Sequence, residues 1–162
     1  MMKKIGIVLF ALLLLCTSCK GKEEMAEEKY IYYINGNTSG LIEEPWVFDE
    51  SGDPLTTVSR ITEELNGVSA LESYQSPFKL GSELTGYVLE DGILTFDFDV
   101  YYQEIPATTQ ILLRASLVKT YCQLEAVDGV AFTMGGNPVV GTRGEVIGIL
   151  REEDYITVDI AP

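Results

Sequence analysis

Asp97 and Asp99 stand two residues apart in the run Ile93 to Val100, ILTFDFDV. On a strand, residues two apart share a face, so this pair could flank a sugar bond or hold a hard cation such as calcium. Alternation alone also puts polar residues at these positions on a water-facing side, and that plainer account is the one adopted. The chain has no histidine. That removes Ser-His-Asp and Cys-His nucleophile systems, zinc ligation by histidine and the usual general base. Gly141-Thr142-Arg143-Gly144 is too short for a phosphate loop and lacks its lysine. Arg114 falls among Leu117, Val118 and Tyr121 at helical spacing, on an apolar side. There it snorkels at the margin of the stripe, pairs with an acid, or enters a partner interface. Cys122 stands alone on the apolar side of the same segment and reads as a buried, inert thiol. No catalytic residue, metal ligand or cofactor is expected.

The elements that must position these residues centre on Thr109 to Gly136. Ile111, Ala115, Val118 and Cys122 recur at helical spacing, and Leu113, Leu117, Tyr121 and Leu124 widen the stripe. Ser116, Lys119, Thr120 and Gln123 are expected to face water, and Thr108 or Thr109 to cap the first turn. After a turn at Val127-Asp128-Gly129, alternation of Val130, Phe132 and Met134 predicts a strand that ends at Gly135-Gly136. Upstream, Tyr30 to Ile34 reads as a strand that is apolar on both faces. Residues 36–52 read as a loop anchored by Leu41, Trp46, Val47 and Phe48. Asp53-Pro54 starts a helix that buries Leu55, Val58, Ile61 and Leu65 and ends at Asn66-Gly67. Leu84 to Leu89 and Ile93 to Val100 form a hairpin across Glu90-Asp91-Gly92. A small hairpin around Thr142 to Gly144 and a strand-like run from Tyr155 to Ile160 complete the chain.

The order is β-α-β-β-α-β. It predicts an α+β fold with a three- or four-stranded sheet and two helices packed on one face. The opposite face is then open to water or to another protein. Tyr30, Tyr32, Tyr33, Ile93 and Arg114 are its candidate interaction residues. The alternative uses are a glycan- or small-ligand-binding surface built on Tyr30, Tyr32, Trp46, Tyr101 or Tyr102, and a hydrolase built on Asp97 and Asp99.

The N-terminus sets the location. Lys3 and Lys4 precede an apolar run, Ile5 to Leu15, too short to span a bilayer, which needs about 20 residues. Cys16-Thr17-Ser18-Cys19 follows and resembles the lipobox of bacterial lipoproteins, with Cys16 where that pattern usually has leucine. The resemblance implies a signal peptide over 1–18 and diacylglycerol on Cys19. Residues 19–29 are then a lipid-anchored, charged tether, and 30–162 one domain with a C-terminal tail. The partners implied are the membrane through that lipid, and another protein or a second copy. The net charge is −14, and loss of the signal removes two lysines and no acid. Such a balance excludes nucleic acid and an electrostatic hold on anionic lipid. With Cys16 lost and Cys19 acylated, Cys122 has no disulfide partner, so packing must hold the fold.

YYING, ITEELNG, YVLEDGILTFDFD, LLRASLVKTYCQLEAVDGVAF and GGNPV, in this order and spacing over Tyr30 to about Ile156, resemble the GerMN domain of sporulation and germination lipoproteins. The resemblance implies an extracytoplasmic, membrane-anchored assembly module, similar in fold to ring-building motifs, with no catalytic motif to carry over. In the sporulation member the domain occurs as a tandem pair; this chain has one copy.

Overall fold

The computed structural model describes residues 28–67 and 73–155. The expected signal peptide, Cys19 and most of the expected tether, together with Ile156 to Ile160 of the expected last strand, lie outside the described residues. Among the described residues, seven strands and two α-helices follow in the order β1 (Tyr30–Asn35), β2 (Leu41–Pro45), α1 (Pro54–Gly67), β3 (Tyr74–Gln75), β4 (Leu84–Glu90), β5 (Ile93–Phe98), α2 (Ala107–Tyr121), β6 (Gly129–Met134) and β7 (Asn137–Pro138). The α+β class and the helix positions are as expected. The strands are divided between two sheets, β2-β1-β3 and β4-β5-β6-β7.

β2 lies inside the segment read as a loop. Its sequence, LIEEP, has no apolar alternation, yet its backbone pairs antiparallel with β1 from Tyr30↔Pro45 to Ile34↔Leu41. Here ladder formation with a strongly strand-forming neighbour overrides local pattern. Leu41 is buried as an anchor, but Val47 is 87% exposed.

The β4–β5 hairpin closes through two residues with positive φ, Asp91 at 49° and Gly92 at 79°, the twist-matched geometry that Asp-Gly supplies. Gly92 is required twice over. A Cβ there would lie 2.4 Å from the Asp128 carboxylate, because the Asp128 N–H donates to Gly92 O at 2.7 Å. That contact sets β6 beside β5, with which it pairs parallel from Ile93↔Gly129 to Phe98↔Met134.

α2 runs between the sheets, packed on β1 and β6. Leu113, Leu117, Val118 and Tyr121 are fully buried with Leu94, Phe96, Phe98, Val130 and Phe132, and the Phe96 and Tyr121 rings lie 5.1 Å apart. α1 is tied to α2 by the Thr62 and Tyr121 hydroxyls at 2.7 Å. Leu55 and Ile111, expected in the apolar stripes, are 43% and 45% exposed. No threonine caps α2: Pro106 is its N-cap and makes no side-chain bond.

The polar side of α2 is where the expectation fails most informatively. Ser116 and Thr120 do not face water; both are fully buried. The Tyr32 N–H donates to Thr120 Oγ1 at 3.0 Å, and Ser116 Oγ donates to Tyr32 O at 2.5 Å. Gln123 does both for Tyr30, accepting from its N–H and donating to its carbonyl, each at 2.8 Å. Thus Ser116, Thr120 and Gln123, spaced i, i+4, i+7, satisfy the edge of β1 that faces away from β2. β3 takes over at Ile34↔Gln75. An amphipathic reading misses this because the water being replaced is a strand backbone, whose groups must be paired wherever they are buried.

Candidate functional site

The tyrosines chosen as an outward surface are mostly inside. Tyr32 and Tyr33 are buried, because α1 and α2 pack against β1. Tyr33 stacks on Tyr74 with ring centres 5.4 Å apart, and Lys119 Nζ sits 5.5 Å from the centre of the Tyr32 ring. Burial pushes both hydroxyls up to about 12. Tyr30 stays half-buried, its hydroxyl donating to Glu28 at 2.8 Å. Ile93 is half-buried in the other sheet, opposite Glu90 and Gly129. These residues do not form one patch.

Arg114 is 8% exposed. Its Nη1 donates to the Tyr102 hydroxyl at 2.9 Å and to Gln110 Oε1 at 3.4 Å, and the Tyr155 hydroxyl is a further partner. No carboxylate pairs with it among the described residues. Burial raises Tyr102 and the Arg114 charge opposes it, with a net rise. The arginine therefore clamps the 3-10 turn Val100–Glu104 and the turn Glu152–Tyr155 onto α2, and it is not available as an outward anchor.

Asp97 and Asp99 are separated by task. Asp97 Oδ1 accepts from Thr133 Oγ1 at 2.6 Å and from the Gly136 N–H at 2.8 Å, while Oδ2 accepts from Thr85 Oγ1 at 2.7 Å. Burial raises its pKa, but these three donors outweigh burial and hold the carboxyl below its usual range. One carboxylate thereby pins β4, β6 and the Gly135-Gly136 turn to β5. Asp99 caps the following turn, accepting from the Tyr101 N–H at 3.1 Å and from Ser82 Oγ at 2.8 Å. Among the described residues no group of acids, cysteines or histidines is arranged to hold a metal ion. Cys122 is half-buried, and burial, helped by Glu152 and Glu153, pushes its thiol up to about 11.

What the surface offers is shallow. A groove of about 740 Å³ runs between Pro45–Phe48 and Cys122–Glu125, where Glu50 pairs with Lys29 and accepts from the Glu125 N–H. A second, of about 500 Å³, is lined by Lys79, Glu83, Asp99 and the half-exposed Tyr101. The outer face of the second sheet, opposite α2, carries Val88, Glu90, Ile93, Thr95 and Asp97, none of them fully buried. No described helix is long and apolar enough to cross a membrane.

The family described as Germane, sporulation and spore germination, matches residues 30–140. Two solved structures from Bacillus subtilis share the fold. The first GerMN domain of the sporulation protein GerM is 16% identical with a TM-score of 0.56, and the match covers 78% of this chain and 98% of that one. The tandem GerMN domains of the same protein are 18% identical with a TM-score of 0.53, covering 78% of this chain and 46% of that one. No curated protein sequence matches.

Proposed function

Because this chain belongs to the Germane family of sporulation and spore germination domains, we propose that it is a non-enzymatic assembly module, held outside the cytoplasm by lipid on Cys19 and serving a sporulation or envelope complex. The observation that carries this reading is the use made of its reactive side chains. Asp97, Asp99 and Arg114, the groups most suited to acid–base or electrostatic catalysis, are each bound to backbone or hydroxyl partners that hold turns and strands in place. A catalytic carboxylate needs its acceptor sites turned toward a substrate; both oxygens of Asp97 and Oδ1 of Asp99 are turned toward the fold. The anchor rests on the sequence Ile5 to Cys19.

The test has two arms. Mass spectrometry of the membrane-extracted protein is expected to show cleavage before Cys19 and a diacylglycerol on it, with Cys19→Ala released or unprocessed. Crosslinking in intact membranes is expected to capture the same protein partner with the wild type and not with a chain lacking residues 30–155. Cleavage elsewhere without lipid contradicts the anchor. Hydrolysis of a glycan by the purified protein, lost in Asp97→Asn, contradicts the non-enzymatic role. A second reading, glycan binding, has one observation in its favour: Tyr101 stands half-exposed over the groove that Glu83 and Asp99 line. Saturable binding of cell-wall fragments, abolished by Tyr101→Ala, would establish it.

A further inference from the structure

Among the described residues the two sheets present β2, β3, β4 and β7 as edges. Exposed edges invite pairing with other chains, and proteins blunt them with charge, proline, shortness or cover. β3 and β7 are two residues each, and β7 contains Pro138. β2 carries Glu43, Glu44 and Pro45 in its five residues. β4, LTGYVLE, is seven residues long with no proline and no charge before Glu90. Its one irregularity is the register shift between Leu84 and Gly86, at its start.

The direction of its backbone groups follows from the hairpin. Glu90↔Ile93 closes a two-residue turn, and such a pair exchanges both ladder bonds. Alternation then points the N–H and C=O groups of Glu90, Val88 and Gly86 toward β5. Those of Leu89 and Tyr87 point outward, with no strand beside them among the described residues. The Tyr87 and Leu89 side chains pack on the core, which fixes the strand, while Val88 is 44% exposed on the outer face.

We propose that the β4 edge is a docking strand: it adds one extended segment of a partner protein to the second sheet through the backbone of Tyr87 and Leu89. The partner segment is neutral and β-branched where it pairs and basic at its flanks. Main-chain bonds supply affinity in this mode, and alternate side chains supply specificity. The basic flanks follow from charge. Glu83 precedes the strand, Glu90 and Asp91 end it, and the whole chain carries −14. A second copy laid along β4 would bring the same carboxylates of both chains into one short interface, which like-charge repulsion opposes. This inference rests on the assembly-module reading and names its partner's chemistry.

The experiment uses the full-length protein in a neutral detergent and two synthetic strand peptides. Both have alternating Thr and Val cores, one flanked by Lys and the other by Glu. The Lys-flanked peptide is expected to bind at least tenfold more tightly than the Glu-flanked one, and to slow hydrogen exchange at the Tyr87 and Leu89 amides at least tenfold. Added salt narrows the difference between the peptides. Tyr87→Pro, which removes an outward N–H and leaves the inward ladder intact, is expected to abolish binding. If that variant fails to fold, exchange at the wild-type Tyr87 and Leu89 amides carries the backbone arm, and Gly86→Glu and Val88→Glu serve for the side-chain arm; each should weaken the Glu-flanked peptide further and leave the melting temperature near the wild type. Unchanged exchange at Tyr87 and Leu89, or equal affinity for both peptides, overturns the proposal. Slowing that rises with protein concentration and needs no peptide assigns the edge to a second copy and overturns it as well. A partner crosslinked equally by wild type and Val88→Glu leaves the assembly reading standing and removes β4 from it.

Discussion

The outward edge of β1 and the outward edge of β4 have the same problem and opposite solutions. At β1, the backbone groups of Tyr30 and Tyr32 meet Gln123, Thr120 and Ser116 of the α2 segment, so a helix substitutes for a missing strand. At β4, the corresponding groups of Tyr87 and Leu89 meet no strand or helix among the described residues. A buried donor without a partner costs about 1–3 kcal/mol, whereas an exposed one is satisfied by water. The first edge must therefore be completed from within the chain. The second can wait for another molecule. The comparison teaches that an edge left open beside three blunted ones is a choice about contact, and that polar residues on a helix are not by themselves evidence of a wet face.

The largest effect expected from breaking the closed edge is that of Ser116→Ala with Thr120→Val. It strips Tyr32 of both partners in the core and should destabilise the protein by about 2–4 kcal/mol, read from denaturant midpoints at unchanged slope. Next comes Gly92→Ala at the turn that aims β4. Positive φ and the approach of the Asp128 carboxylate both oppose a side chain there, and a loss of about 1–2 kcal/mol is expected.

A third handle is pH. Burial holds the Tyr32 and Tyr33 hydroxyls at about 12 against the ordinary 10. A folded pKa above the unfolded one means that the unfolded chain loses its protons first. This contribution is complete below pH 10 and disappears as pH rises toward 12. Alkaline denaturation in that window is expected to weaken in Tyr33→Phe, and a pH-independent midpoint from 9 to 12 would contradict the burial of these rings. The smallest effect belongs to the open edge: Val88→Thr should leave stability within about 0.5 kcal/mol, because its side chain is 44% exposed.

Much of this was legible beforehand, and the failures have causes. The Asp-Gly hairpin, the Gly-Gly turn after Met134 and the Asp53-Pro54 helix start all depend on backbone chemistry local to a few residues, so they could be read directly. β2 could not, because its pairing is carried by main chain and its side chains, Glu43 and Glu44, mimic a loop. The interaction tyrosines were misplaced for a related reason. Apolar character on both faces of Tyr30 to Ile34 suggests that one face is left for a partner, whereas α1 and α2 pack against β1 and leave Tyr32 and Tyr33 inside. The one signal available for the α2 edge cover was compositional. Ser116, Thr120 and Gln123 share an i, i+4, i+7 stripe of hydrogen-bonding but uncharged types, unlike the Lys and Glu of a solvated face. Arg114 was expected at the margin of a stripe and is instead enclosed by Tyr102, Gln110 and Tyr155.

The measurement that tests the contrast most directly is residue-resolved amide hydrogen exchange on the free protein. With the α2 cover as described, the Tyr30 and Tyr32 amides should exchange only through global unfolding, and Tyr32 should lose that protection in Ser116→Ala/Thr120→Val. The Tyr87 and Leu89 amides should exchange orders of magnitude faster, while Val88 between them stays protected by its bond to β5. Equal protection of Tyr32 and Tyr87, or rapid exchange at Tyr32, would show that the two edges do not differ and would contradict the account.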